Sequence, residues 1–343
     1  MELHQIKEFI QNHLSDGLVV IVGSGLSSAE GIPGMWKLAE HLKSTVPTVL
    51  KDRKDRTWEE VDRLLAEGKD LETALHQVKV GPDLEAIIVD ITAKYLGGYE
   101  SQIIADVVNN GRVLRFEKLL KHLIKPNTGI PVITTNYDRL IEVAAESAGL
   151  GVNTLFCGSY IGRFDPKESR YSLCRGINKR RKSVHLSYTD SIIVLKPHGS
   201  LDWFLKNGDP ISSPLAEGQR LIITPGINKF RGGYERPFDA HRERANSEID
   251  KAARYLIIGY GFNDDHLQVH LDRQLVSGKP ALVLTHGLTD NAEKFVRNND
   301  NIFSIVGLKE GDGFRLIRGK QEFTFKGPNI WDLDVCIKEV LEP

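Results

Sequence analysis

Four short stretches of this 343-residue chain place polar side chains directly after an apolar run. Gly23-Ser24-Gly25 follows Leu18-Val19-Val20-Ile21-Val22. Glycines let a backbone approach a pyrophosphate, and a helix starting there favours an anion at its N-terminus. Taken alone, the loop is equally compatible with a tight turn. Thr134-Thr135-Asn136-Tyr137-Asp138 closes the run that begins at Ile130. Asn136 can donate and accept, so it can hold a water or a sugar hydroxyl, and Asp138 can accept from an amide. The same residue types also suit a helix N-cap. His198, within Leu195-Lys196-Pro197-His198-Gly199-Ser200-Leu201-Asp202-Trp203, stands just beyond another run. That position suits a general base, or a satisfied structural histidine. Gly259-Tyr260-Gly261-Phe262-Asn263-Asp264-Asp265-His266 supplies glycines for close approach to a ribose or adenine, and an Asp that could cap the next helix. A cation site from Asp264, Asp265 and His266 would need further ligands, because three adjacent residues rarely converge on one ion.

The elements that must carry these loops can be read from hydrophobic spacing. Leu3, Ile6, Phe9, Ile10 and Leu14 recur at helical period, so Glu2 to Leu14 is expected to be a helix. Leu18 to Val22 is short, apolar and rich in β-branched residues, as a buried parallel strand should be. Residues from Trp36 to Ile124 read as mainly helical, with candidate helices at Thr57 to Leu65, Leu71 to Val78, Leu84 to Tyr95 and Val113 to Leu123. Strands are expected at Ile130 to Thr134, Ser191 to Lys196, Arg220 to Thr224, Arg254 to Gly259, Ala281 to Thr285 and Ile302 to Val306. Helices are expected at Tyr137 to Ser147, Asp239 to Ala253, Asp265 to Leu275 and Asp290 to Asn298, and Gly151 to Ser191 reads as irregular. The alternation predicts an α/β fold, a Rossmann-like doubly wound parallel sheet with an inserted or packed helical subdomain. The expected division is one unit over 1–310 with the helical subdomain at 36–125, and a C-terminal segment at 311–343. Four polar loops after four strands would then rim one cleft.

A dehydrogenase-type dinucleotide site is excluded. Its third glycine position holds Ser28, and no second strand ending in Asp or Glu follows about 20 residues on. With 45 Lys+Arg against 46 Asp+Glu, no global field draws nucleic acid. The basic stretch Arg175, Lys179, Arg180, Arg181 and Lys182 reads as a solvated or interface loop that could touch nucleic acid. Cys157, Cys174 and Cys336 form neither a disulfide framework nor a zinc tetrad, and a reducing, cytoplasmic setting fits them. The N-terminal residues do not have the pattern of a signal peptide, and the longest apolar runs are strand-sized, so no membrane span is expected.

Taken in order, Gly23-Ser24-Gly25-Leu26-Ser27 with Gly31-Ile32-Pro33, Thr135-Asn136-Tyr137-Asp138, and His198-Gly199 resemble the motif series of the sirtuins. The likeness spans roughly residues 18 to 285. It is closer to the sirtuin-like effectors of bacterial antiphage defence, a zinc-free branch known for hydrolysing NAD rather than deacylating lysine. That branch has stretches similar to those around Asn136, His198 and Gly259. The deacylases carry two Cys-x-x-Cys pairs in a zinc module, which three scattered cysteines cannot supply. They also carry Phe-Arg where this chain has Met35-Trp36-Lys37, and a tryptophan there fits the effector branch better.

The resemblance implies that NAD is the substrate, without zinc, and that its bond to nicotinamide is cleaved to give nicotinamide and ADP-ribose. It implies Asn136 as the holder of water and ribose, His198 as the base and Asp138 on the nicotinamide amide. Gly23, Ser24, Gly25 and Ser27 would receive the pyrophosphate, with Thr135 in the same cofactor-binding set. Gly259, Asn263 and Asp264 would face the adenosine end. It further implies an NAD-depleting role in antiphage defence, a homo-oligomer and a separate partner, often a HerA-type hexameric ATPase. Nucleic acid would be met only through that partner or the basic loop. The helical subdomain and Phe314 to Leu341 are the candidate assembly surfaces. Two other readings stay open: an NAD-dependent protein deacylase, and a non-catalytic nucleotide-sensing assembly subunit.

Overall fold

Five consecutive apolar residues such as Leu18–Val22 need cover on both faces, and the fold supplies it. In the computed structural model, which describes residues 2–51, 55–180, 183–224, 236–262 and 264–342, they form a strand with helices packed on either side. Helix α1 (Leu3–His13) leads into this strand, β1 (Leu18–Val22), and then into the short α2 (Ser24–Glu30). A helical block follows: α3 (Met35–Leu50), α4 (Arg56–Ala66), α5 (Leu71–Gln77), α6 (Pro82–Asn110) and α7 (Arg115–Leu120). The chain returns to the sheet at β2 (Ile130–Thr134), then makes α8 (Leu140–Ser147) and β3 (Gly151–Asn153). Short strands β4 (Phe156–Cys157) and β5 (Gly162–Phe164), helix α9 (Pro166–Tyr171) and the hairpin β6 (Cys174–Arg180) and β7 (Ser183–Tyr188) precede β8 (Ser191–Leu195). Next come β9 (Gly199–Lys206), β10 (Asp209–Ser212), β11 (Gln219–Ile222), α10 (Phe238–Lys251) and β12 (Arg254–Ile258). The chain ends with α11 (Asp265–Val276), β13 (Ala281–Thr285), α12 (Asp290–Arg297), β14 (Ile302–Gly307), β15 (Gly313–Arg318), β16 (Gln321–Lys326), α13 (Leu333–Cys336) and a π-helical turn, Ile337–Leu341.

The main sheet runs β16-β15-β14-β13-β12-β1-β2-β8-β3. All its pairs from β14 to β3 are parallel, and β15 and β16 add antiparallel. The expected doubly wound α/β sheet is therefore present. β1 has β2 on one side and β12 on the other, so the strand order switches direction there. In open sheets of this kind a crevice forms outside the strands' carboxyl ends at such a point.

Alternate strand residues feed two cores. Val20, Val22, Val132, Val194, Leu256 and Ile258 pack under α1, α6, α7, α8 and the C-terminal turns. Val19, Ile21, Ile133, Leu195, Tyr255 and Ile257 pack under α10, α11 and α12. Each such side chain, fully buried, contributes about 1.5–3 kcal/mol. β15 and β16 extend the sheet, and Phe314 and Leu316 of β15 with Ile330 and Val340 beyond it lie in the first core.

The helical block has a core of its own, built from Leu38, Leu42, Val46, Trp58, Val61, Leu71, Leu75, Leu84, Ile88 and Ile91. Asp55 caps α4 through Thr57 and Trp58 N–H, and Asp70 caps α5 through Thr73 N–H. Two sequence expectations need correction here. The helix expected at Leu84 to Tyr95 runs on to Asn110, straight through Gly97 and Gly98, because packing outweighs glycine's roughly 1 kcal/mol penalty. The region from Gly151 to Ser191, read as irregular, contains β3 to β7 and α9. Of these, β4 and β5 join β9, β10 and β11 in a second, antiparallel sheet around Phe156, Trp203, Leu221 and Phe238. No helix of the described residues is long and apolar enough to cross a membrane. The basic stretch lies on the β6–β7 hairpin, where Arg175 and Lys179 are exposed. Arg181 and Lys182, and the side chain of Arg180, lie outside the described residues.

Candidate active site

A cavity of about 240 Å³ opens at the carboxyl ends of β1, β2, β8 and β12. Gly23, Ser24, Ser27, Thr135, Asn136, Asp138, His198 and Asp264 line it, together with Tyr137, Tyr260 and Gly261. Ile32, Pro33, Met35, Leu38, Glu72 and Leu96 close it from the α2–α3 loop and the helical block. Gly25 and Gly259 are not on its wall. Asn263 and the side chains of Asp265 and His266 lie outside the described residues. Trp36 points to solvent, and Met35 beside it lines the cavity.

The glycines do a job that the motif alone did not reveal. A Cβ on Gly23 would sit 2.4 Å from the Gly259 carbonyl oxygen, and one on Gly25 would sit 2.7 Å from Gly259 Cα. Gly259 itself has φ +57° and would meet Gly25 Cα at 2.7 Å. Three glycines thus press two loops together, backbone to backbone. Gly23 N–H donates to Ile258 O and Gly25 N–H to Gly259 O, both at 3.0 Å.

Asn136 is almost fully buried and its orientation is set by its donors. Its amide nitrogen donates to Gly23 O at 2.9 Å and to Ser27 Oγ at 2.8 Å. A carbonyl can only accept, so the amide cannot be flipped. Both N–H groups are spent, which leaves Oδ1 as the acceptor available to a ligand. Ser27 in turn donates to the Asp138 carboxyl. Asn136, Ser27 and Asp138 therefore form one relay, and Ser27 is committed to both neighbours.

Burial pushes the Asp138 carboxyl above the usual carboxylate range, with Lys196 and the Ser27 hydroxyl pulling the other way. Lys196 was read only as part of the His198 motif, yet it is almost completely buried. Its Nζ donates to the Asp138 backbone carbonyl and to Glu142 Oε1, the latter at 3.0 Å. Burial raises Glu142 likewise, and Lys196 opposes it. Next to Asp138, Arg139 is held by the buried Glu100 of α6, with Nη2 2.6 Å from Oε2. Sequence reasoning missed Glu100, Glu142 and His241. None belongs to a motif, and only the fold brings them to the site. His241 Nδ1 accepts from Lys196 N–H at 3.1 Å. Burial, with Lys196 nearby, pushes its pKa down to about 3 and keeps it neutral.

His198 sits where the main sheet hands over to the second sheet. Gly199 has φ +91°, and a Cβ there would lie 2.1 Å from Leu221 O, so the chain can turn after His198 only with glycine. Ile223 N–H donates to His198 O at 3.0 Å, which fixes the backbone from the other side. Nε2 of His198 lies 2.7 Å from Asp264 Oδ2, although out of line for a hydrogen bond. Asp264 also caps α11, its Oδ1 accepting from Leu267 N–H at 2.9 Å.

Three carboxyl side chains, Glu72, Asp138 and Asp264, line the cavity, and no Lys or Arg does so among the described residues. An anionic group would be met there by backbone N–H groups and hydroxyls, and a cationic one by carboxylates. No group of three or more His, Cys, Asp or Glu that could hold a metal occurs among the described residues.

Residues 131–300 match the family described as the SIR2-like domain. No curated protein matches the chain. Among solved structures, the chain is similar to Sir2Tm bound to a propionylated peptide, at 17% identity over 84% of this chain and 90% of that one, with TM-score 0.39. A Sir2 homolog–NAD complex is 15% identical over 83% and 84%, with TM-score 0.40. Sir2 bound to acetylated peptide is 16% identical over 85% and 90%, with TM-score 0.36.

Proposed function

We propose that the chain, with its SIR2-like domain at residues 131–300, is a sirtuin-like NAD glycohydrolase. The observation that carries this reading is the fixed Asn136 amide, whose free oxygen shares one cavity with Asp138 and His198. Breaking the nicotinamide–ribose bond needs no acid, because the pyridinium nitrogen takes the bonding electrons and leaves as neutral nicotinamide. The ribose carbon passes through an oxocarbenium-like state. What the protein must supply is orientation, a held water and a proton acceptor. Asn136 Oδ1 accepts from the water or a ribose hydroxyl. His198 takes the water's proton as its oxygen bonds to the ribose carbon, giving ADP-ribose. Asp138 meets the nicotinamide amide, and the carboxyls around it suit a cationic ring. The pyrophosphate falls to Gly23 and Ser24, with Ser27 and Thr135 beside them on the cavity wall, while Gly25 and Gly259, read from the sequence as ligand contacts, act from behind that wall by holding the two loops together.

The same reading makes the enzyme an NAD-depleting effector of antiphage defence, oligomeric and served by a separate HerA-type ATPase. Its support is the likeness of the loops at Asn136, His198 and Gly259 to that branch. The test incubates purified protein with NAD, with and without the neighbouring gene product and phage DNA. Nicotinamide and ADP-ribose are expected in equal amounts, and both should vanish in folded His198→Ala and Asn136→Ala. Full activity in His198→Ala would sink the base assignment. O-acyl-ADP-ribose appearing with an acyl-lysine peptide would move the chain to the deacylases. Unchanged NAD under every condition, with tight nucleotide binding, would make it a sensing subunit.

A further inference from the structure

We infer that Asp264 is the positioning residue that holds the His198 imidazole, an inference that rests on the reading of His198 as the base. The carboxylate divides its two oxygens. Oδ1 is tied to Leu267 N–H at 2.9 Å, which anchors it at the head of α11. Oδ2 reaches across to His198 Nε2 at 2.7 Å. His198 comes from the end of β8 and Asp264 from the end of β12. The contact therefore spans the cleft mouth rather than one element, and both side chains are about nine-tenths buried.

An ionised carboxylate accepts and cannot donate. The pair is out of line for a hydrogen bond as it stands, but at 2.7 Å a turn of the imidazole ring aligns an Nε2–H with the carboxylate, which selects the tautomer that carries hydrogen there and leaves Nδ1 as the lone-pair nitrogen. When Nδ1 takes the water's proton, the imidazolium that forms lies against a fixed negative charge. A His–carboxylate pair of this kind orients the ring and stabilises the transient cation without itself taking the proton. Among the described residues, the other ionisable groups that line the cavity with the pair are Tyr137 from the β2 loop, Tyr260 after β12, Asp138 and Glu72 of the helical block. This assignment moves Asp264 from the adenosine end, where the sequence led us to expect it, to the reacting end.

Asp264→Asn separates the two roles of the residue, because asparagine caps a helix as well as aspartate does. The expected result is an unchanged melting temperature, a KM for NAD within about twofold, and a kcat for nicotinamide release lower by about 10²-fold, the low end of a general base's contribution. Asp264→Ser keeps a capping oxygen but cannot reach His198, and should lose as much. A second measurement does not depend on turnover. In protein carrying ¹⁵N-histidine, the His198 ring nitrogens, assigned by their absence in His198→Gln, should report Nε2–H in the parent and a tautomer mixture in Asp264→Asn. An unchanged kcat with an unchanged tautomer would overturn the inference. A raised KM at full kcat would also overturn it and put Asp264 on the dinucleotide. If the parent releases no nicotinamide, the hydrolase reading fails, and the tautomer comparison still decides whether Asp264 holds the ring.

Discussion

Asn136, Asp138 and His198 stand on strand ends that their neighbours hold by backbone packing and hydrogen bonds, whereas Met35, Leu38 and Glu72 reach the same cleft from a helical block. The strand ends share the two cores of the main sheet, and the block has a third core that belongs to itself. The block is not detached, since α6 and α7 also send Val89, Ala93, Leu96, Phe116 and Leu119 into the first core of the sheet, and ion pairs fasten the far end of α6. There Glu100 meets Arg139, and Arg112 just past the helix meets Glu30 at 2.8 Å. Arg220 of β11 also reaches Asp90 at 3.6 Å. Groups that would touch the reacting bond are therefore built into the rigid layer. Leu38 and Glu72, which close the cleft, stand instead on α3 and α5, whose side chains pack in the block's own core. Regions with separate cores open as separate units.

The strongest way to break the contrast is Lys196→Met. It strands Glu142 and the Asp138 carbonyl without their cation, and breaking a buried pair in this way costs about 3–5 kcal/mol. Urea unfolding should show that loss for the whole chain, and pairing the change with Glu142→Leu should restore much of it. Leu42→Ala tests the other side. A cavity in the block's core should cost about 3 kcal/mol, and hydrogen exchange should quicken across residues 35–91 while β1, β2 and β8 stay protected. Exchange that quickens equally in those strands would merge the two regions into one.

The third prediction concerns pH. His241 is held neutral in the fold with a pKa near 3. Below about pH 6.5 the unfolded chain binds a proton that the folded chain refuses, so stability falls as pH falls, by about 1.4 kcal/mol per pH unit for one proton. Asp138 and Glu142, raised by burial, act in the opposite sense, since the fold holds their protons more tightly. Subtracting His241→Asn from the parent isolates the histidine. Between pH 6.5 and 5 the parent should lose about 2 kcal/mol more than the variant. The smallest effect on stability is Ser27→Ala, about 1 kcal/mol for a lost hydrogen bond. It frees Asn136 from Asp138, so nicotinamide release should fall well beyond what the stability change alone would cause. Unchanged release would mean that Asn136 is held by Gly23 O alone.

The strands of the main sheet were legible because continuous β-branched runs such as Leu18–Val22 and Ala281–Thr285 admit few other structures. The second sheet was not, since its strands are short and β9 starts at Gly199, where the sequence shows a loop motif. The predicted residues lining the cleft were found through their place after strands. The residues that support them were invisible for a different reason. Glu100 lies 39 positions from Arg139, and His241 lies 45 from Lys196, so no local pattern links them. The glycines were read for what they admit. Their Cβ positions show that they also answer to each other.

The place of β1 in the sheet has a consequence for how the chain is made. Its two neighbours, β2 and β12, begin at Ile130 and Arg254, far downstream of Val22. At about 5–20 residues per second, the ribosome needs on the order of 10–50 s between finishing β1 and completing the strand that closes its second edge. Through that interval an apolar strand has at most one partner. The helical block emerges first and has its own core to fold around, so the nascent chain carries a folded part beside an open sheet edge. Cells that make this protein therefore depend on holding β1 apart from other chains until residue 258 has emerged.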